Sequence, residues 1–230
     1  MLYLISLGLW DEKDMSLRAL EAGRKCKKLY LELYTSPWFG SRKELERLFG
    51  KPIELVGRQK LEEGISGLIE EARKTDVGIL VPGDALSATT HLSILAEAKR
   101  QKVKARVIHG SSILTAIAES GLSLYRFGQT VTLPKDGPKK SFWDAVRKNL
   151  RAGLHTLVLL EPGLGLERAL KLLKLRRPLV AGCRFGGETL IRYGRPSKLK
   201  ELGDCQPAVL VIPAKLSFYE EEFLSILAKE

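Results

Sequence analysis

Asp84 is the residue of this chain whose setting most plainly invites chemistry. It closes Pro82-Gly83-Asp84, where the apolar run Val77–Val81 ends abruptly. Such a run reads as a buried strand of a parallel sheet, and the Pro-Gly pair breaks it. Ser87-Ala88-Thr89-Thr90 then offers capping hydroxyls for a helix continuing through Arg100. Asp84 therefore falls in the crevice beyond the carboxyl end of a strand, where open α/β sheets bind their ligands. A carboxylate there can accept hydrogen bonds from an ammonium, an amide or a ribose hydroxyl with no proton transfer. Gly-Asp is also ordinary turn chemistry, so on this residue alone a turn former competes evenly with a ligand site.

Two further strand ends read in the same way. Leu2–Leu7 closes in Gly8-Leu9-Trp10-Asp11, and Lys104–His109 runs into Gly110-Ser111-Ser112-Ile113 at the head of a helix. Other patterns carry less. Gly163-Leu164-Gly165-Leu166-Glu167-Arg168 is two-thirds of a GxGxxG, but Arg168 stands in place of the third glycine and no acidic ribose ligand follows. His109 lies too close along one strand end to serve Ser111 or Ser112 as a base, and those hydroxyls read as a helix cap. Cys26, Cys183 and Cys205 form no CxxC pair, and with His91, His109 and His155 they give no metal-ligand spacing. The thiols are expected to be reduced and buried, a Cys183–Cys205 bridge being the alternative.

The elements that must position these residues alternate. After Leu2–Leu7 come a helix over about Asp14–Cys26, strand Leu29–Tyr34, helix Lys43–Phe49 and strand Ile53–Val56. Leu61, Ile65, Leu68 and Ile69 recur at helical spacing, a single helix with one buried face. Strand Val77–Val81, helix Thr89–Arg100 and strand Ala105–His109 complete an N-terminal domain of parallel sheet with helices on both faces. Further on, strand Gln129–Leu133 leads to a helix opened by Ser141 with Asp144, read as a capping box. Strand Thr156–Leu160 and helix Leu166–Leu175 follow, then strands Leu179–Cys183 and Thr189–Tyr193 as a candidate hairpin. Strand Val209–Pro213 and a helix opened by Ser217 with Glu220 end the chain. The expected fold is two α/β domains, 1–110 and 111–230, the boundary falling between 110 and 128. The second is a smaller mixed-sheet domain, with the ligand cleft between the two.

Composition bounds the partners. Of 230 residues, 44% are hydrophobic, yet no apolar run approaches the ~18–20 residues of a membrane span. The first residues enter a strand directly, without a basic leader or cleavage pattern, and read as mature intracellular protein. There are 38 Lys and Arg against 27 acids, with a single asparagine, Asn149, and four glutamines, which is a heat-adapted pattern. The +11 net charge suggests a polyanionic or acidic partner, although Lys135, Lys139 and Lys140 are the nearest thing to a cluster. Trp38, Phe39 and Phe127 are candidates for exposed apolar interface area.

Taken together, LYLISLGLWDEKDMSLRALEAGRKC, LELYTS, VPGDALSATTH, VIHGSSILTAIAESGLSLYRFG, GLHTLVLLE and VLVIPAKLSFYEEEFL resemble the diphthine synthases. These are tetrapyrrole-methylase-class methyltransferases that use S-adenosylmethionine. The runs Gly83–His91 and His109–Gly128 are the specific parts. The resemblance implies S-adenosylmethionine held in the interdomain cleft, largely by backbone groups. The matching positions are Leu9, Asp84, Ser87, Ser112 and Ile113 in the first domain, and Leu160, Phe185 and Ala208 in the second. Phe185 is bulkier and Ala208 less polar than the family positions, Ala85 replaces a usual proline, and Glu161–Pro178 is short. The implied reaction is methylation of the amino group of a 3-amino-3-carboxypropyl-histidine on elongation factor 2, toward diphthamide, by a cytoplasmic homodimer without metal. The sulfonium is already activated, so no catalytic base stands out. The alternatives are a methyltransferase of the same class acting on RNA ribose or a tetrapyrrole precursor, and a non-enzymatic basic RNA-binding protein.

Overall fold

The computed structural model describes residues 1–229, which divide into two units meeting at Leu114 and Thr115. The first unit alternates strand and helix. β1 (Leu2–Ser6), α1 (Leu17–Lys25), β2 (Lys28–Leu31), α2 (Arg42–Phe49) and β3 (Ile53–Leu55) come first. α3 (Arg58–Glu62), α4 (Ile65–Lys74), β4 (Val77–Val81), α5 (Leu92–Arg100), β5 (Ala105–Ile108) and the short α6 (Ile113–Ala116) at the junction follow. The five strands form one parallel sheet in the order β3-β2-β4-β1-β5.

Pleat alternation divides the core in two. Leu2, Leu4, Val77, Ile79 and Val81 meet Leu68, Ile69 and Ala72 of α4 and Ile94 and Ala98 of α5. Tyr3, Ile5, Leu29, Leu31 and Leu80 meet Ala19 and Ala22 of α1 and Leu45 and Phe49 of α2 on the other face. Helices on both faces explain why β1 and β4 are buried at every position and read as unbroken apolar runs.

Three helix starts differ from expectation. The single helix expected through Leu61–Ile69 is two, α3 and α4, parted at Glu63-Gly64, although its four apolar residues still share one cluster. α1 begins behind Ser16, whose Oγ accepts from the Ala19 amide at 3.1 Å, and a 3₁₀ turn occupies Glu12–Asp14. α5 begins at Leu92 because Ala88 is left-handed (φ 59°) and the Thr89 hydroxyl donates to the Ala85 carbonyl at 2.7 Å. Those hydroxyls shape a loop instead of capping a helix.

The second unit contains β6 (Val131–Leu133), α7 (Lys140–Arg151), β7 (Thr156–Leu160), α8 (Leu166–Leu173), β8 (Leu179–Cys183) and β9 (Leu190–Gly194). α9 (Pro196–Leu199), β10 (Ala208–Ile212) and α10 (Phe218–Leu227) complete it. Its sheet, β6-β7-β10-β8-β9, is mixed: β6 and β7 are parallel, the other pairs antiparallel. β8 and β9 pair as the expected hairpin, and Ser217 with Glu220 forms the expected capping box. The box read at Ser141 and Asp144 is absent. α7 starts two residues earlier, with Lys139 as its N-cap, and Asp144 instead accepts from Arg147 at 2.6 Å.

Cys183 and Cys205 are bridged, which corrects the expectation of three free thiols. Cys183 ends β8 opposite Ala208, and Cys205 lies three residues ahead of Ala208, giving a Cα–Cα separation of 6.2 Å. Cys26 is free and buried; burial, then the Asp76 charge, pushes its thiol up to about 11, so it stays protonated. Of the aromatics expected at the surface, Phe39 is exposed and stacked on Trp10 at 4.2 Å. Trp38 and Phe127 are half-buried.

Candidate functional site

Asp84 sits where the sequence places it, just past β4, but its carboxylate is already committed. Oδ1 accepts from the Leu86 amide at 3.0 Å and the Ser87 hydroxyl at 3.2 Å. Oδ2 accepts from His109 Nδ1 at 2.7 Å and the Gly110 amide at 3.2 Å. Those four donors fill the sites a carboxylate offers. Burial alone would push this carboxyl up, but the hydrogen bonds from Leu86, His109 and Gly110 outweigh it and hold it below the usual aspartate range. What Asp84 organises is a set of loops, with its backbone left for any ligand.

The neighbouring strand end is tied to the same loop. The Gly8 and Gly83 amides donate to each other's carbonyls at 3.2 and 2.6 Å, both residues being left-handed. Ser6, fully buried at the end of β1, accepts from the Ala85 amide at 2.9 Å. Gly110 lacks a Cβ for a reason, since one would lie 2.8 Å from the Ser6 Cβ. Leu9, Asp84, Ser87, Ser112 and Ile113 thus gather at one edge of the sheet, on three strand-end loops cross-linked through Gly83, Asp84 and Gly110. Ser112 Oγ accepts from the Leu114 amide at 3.2 Å, the capping role expected of it. A Cβ built on Gly83 would meet nothing within 4 Å, so bare backbone faces open space there.

Three groups of this edge escaped sequence reasoning. Ser6 is a polar residue hidden in an apolar strand. Glu32, one residue beyond β2, is fully buried and accepts from the Tyr34 and Thr35 amides at 3.1 and 3.2 Å and from the Thr35 hydroxyl. His91, also buried, places Nδ1 3.2 Å from the Ala85 carbonyl and Nε2 3.8 Å from Glu32. Glu32 falls inside the stretch read as strand Leu29–Tyr34, and no spacing links it to His91.

In the second unit, the three expected positions also converge. Register continues Val209↔Leu159 to set Ala208 against Leu160 on one side, while Ala208 pairs with Cys183 on the other. The Arg184 amide, in a left-handed residue, donates to the Pro207 carbonyl at 3.0 Å, placing Phe185 beside the same edge. Phe185 is buried and Ala208 faces the core, so both side chains are packing groups and only their backbone is offered.

The Gly163–Arg168 turn is a helix start closed from within. Asp204 occupies the space a Cβ on Gly165 would need, and its Oδ1 accepts from the Glu167 amide at 3.4 Å. That leaves no room there for a dinucleotide phosphate. Among the described residues no group of three His, Cys, Asp or Glu could hold a metal ion, and no helix is long and apolar enough to cross a membrane.

Two five-stranded sheets with these strand-end loops match a known architecture. The family model for tetrapyrrole (corrin/porphyrin) methylases matches residues 1–189. The chain belongs to that family. Within it, the chain is 37% identical to a crystal structure of diphthine synthase, covering 99% of this chain and 96% of that one with a TM-score of 0.93. The diphthine methyl ester synthase of Schizosaccharomyces pombe is 44% identical over 164 residues, 70% of this chain and 58% of that protein. That of Saccharomyces cerevisiae is 43% identical over 165 residues, 70% of this chain and 55% of that protein. The chain therefore spans little more than half the length of these curated relatives.

Proposed function

We propose that the chain is an S-adenosylmethionine-dependent methyltransferase of diphthamide biosynthesis. Its acceptor is the amino group of the 3-amino-3-carboxypropyl-histidine intermediate on elongation factor 2. The observation that carries this is the whole-chain likeness to diphthine synthase together with the three cross-linked loops at the carboxyl edge of the first sheet. The donor's activated methyl group supplies the electrophile. Leu9, Asp84, Ser87, Ser112 and Ile113 would hold it from the first unit, and Leu160, Phe185 and Ala208 from the second, mostly through backbone N–H and C=O groups. Buried side chains at Phe185 and Ala208 and the saturated carboxylate of Asp84 support that mode of binding.

The relatives' names favour one further acceptor. The proteins from the two yeasts are methyl ester synthases by name, and an ester forms on a carboxylate oxygen. A carboxylate is ionised at neutral pH and needs no deprotonation, so the same site can alkylate it after the amine. Mass spectrometry of the modified peptide, before and after mild alkali, separates the two. An N-methyl group persists, and an ester is lost with one methyl mass.

We also propose a cytoplasmic homodimer from a heat-adapted source. Phe218, Tyr219 and Ile226 on α10 are 76%, 77% and 55% exposed, which supplies apolar area for a second copy. Calorimetry with S-adenosylhomocysteine tests the cofactor assignment. Saturable binding is expected, and none would favour the non-enzymatic alternative.

A further inference from the structure

His109 carries an unused ring nitrogen at the carboxyl edge of the first sheet. Its Nδ1 lies 2.7 Å from Asp84 Oδ2, and because that carboxylate is ionised and can only accept, Nδ1 must carry the hydrogen. The lone pair of the neutral ring therefore sits on Nε2, on a side chain that is 68% exposed, while Asp84 behind it is 7% exposed. Among the described residues Nε2 has no hydrogen-bond partner, and Asp84 is the one titratable group in contact with the ring.

The other candidates at this edge and elsewhere are hydrogen-bonded or shut away from solvent. Glu32 is buried under three donors, and His91, whose Nε2 has no hydrogen-bond partner, is only 1% exposed. His155 is fully buried, its Nδ1 accepting from the Ala214 amide at 3.0 Å and its Nε2 donating to Glu220 at 3.1 Å. Asp84 itself has four donors on its two oxygens. A buried carboxylate holding an exposed imidazole by Nδ1 is the arrangement that orients a general base.

We infer that His109, oriented by Asp84, is the general base that removes a proton from the acceptor ammonium at this site. The inference rests on the methyl-transfer reading and deepens it. In the step, an acceptor N–H proton passes to His109 Nε2, giving an imidazolium paired with Asp84. The freed nitrogen lone pair forms the N–CH₃ bond, the S–CH₃ bond breaks, and its electron pair stays on sulfur as the neutral thioether leaves. His109 returns the proton to water through its exposed face. Each methyl added to the amine repeats the cycle, whereas methylation of a carboxylate would not use it.

His109→Ala is compared with the unaltered protein on elongation factor 2 carrying the unmethylated intermediate. The readouts are single-turnover N-methylation across pH, S-adenosylhomocysteine affinity, and the response to added imidazole. The expected result is a rate about 10²–10³-fold lower at neutral pH, with affinity for S-adenosylhomocysteine within about threefold. The deficit should shrink as pH rises and the amine loses its own proton, and imidazole should restore part of the rate. His109→Gln, which keeps a donor toward Asp84, should be as slow as His109→Ala if the lone pair matters and near normal if only the tether does. A His109→Ala rate within fivefold of wild type, a pH-independent loss, or no imidazole rescue would overturn the role of His109 and leave methyl transfer standing. No transfer by the unaltered protein would overturn both.

Discussion

Asp84 shows how a residue chosen for ligand chemistry can turn out to serve its own loops. Its carboxylate accepts four hydrogen bonds, from Leu86, Ser87, His109 and Gly110. Removing it breaks four hydrogen bonds to a charged acceptor, so Asp84→Ala should lower unfolding free energy by about 2–3 kcal/mol. Urea titration checks this, and an unmoved midpoint would contradict it. Glu220 gives a second test at this scale. It is buried, and burial raises its carboxyl, but bonds from Ser217, Ser123 and His155 prevail and hold it at about 2. Its stabilisation is therefore present above the ordinary glutamate range and is lost as pH falls toward 2. His155 is held below its usual value, first by burial, so it too favours the fold above about 6.5 and costs stability below. Both act in one direction. Unfolding free energy should fall between pH 7 and pH 3 by about 2 kcal/mol more in the wild type than in Glu220→Gln.

At the scale of elements, Gly165 and Asp204 make one cap. A side chain on Gly165 displaces the Asp204 carboxylate from the head of α8. Gly165→Ala should cost about 1–3 kcal/mol, and the cost should shrink in an Asp204→Ala background because the clash is gone. Additive costs in the double-mutant cycle would contradict this. The same turn illustrates what the chain discloses about itself. Strand ends broken by Pro82-Gly83 and Gly110 were legible because a buried apolar run followed by Gly or Pro has few other readings. The capping box read at Ser217 with Glu220 forms, but the one read at Ser141 with Asp144 does not. A hydroxyl three residues before an acid does not reveal whether the chain has already entered the helix. Likewise the link from Ser6 to Ala85 and the approach of His91 to Glu32 join segments far apart in sequence, which spacing cannot show. The Cys183–Cys205 bridge depends on β8 lying beside β10, a matter of strand order that the sequence leaves open.

At the scale of the whole molecule, the +11 net charge has two uses that salt distinguishes. Contacts to RNA phosphates would lose several powers of ten in affinity between low and moderate salt as counterions are released. Encounter with a folded protein should change mainly in rate, so catalytic efficiency toward elongation factor 2 should fall only modestly over that range. A steep loss would point away from the protein acceptor. Light scattering at micromolar concentration should give about twice the 25.6 kDa of one chain, and a single-chain mass would contradict the homodimer.

The most direct measurement offers labelled S-adenosylmethionine with three acceptors side by side: elongation factor 2 bearing the 3-amino-3-carboxypropyl-histidine, bulk RNA, and a tetrapyrrole precursor. Saturable label on the factor alone, located on the amino group, is the expected result. Label on RNA that ribonuclease abolishes, or on the tetrapyrrole with none on the factor, would contradict the assignment.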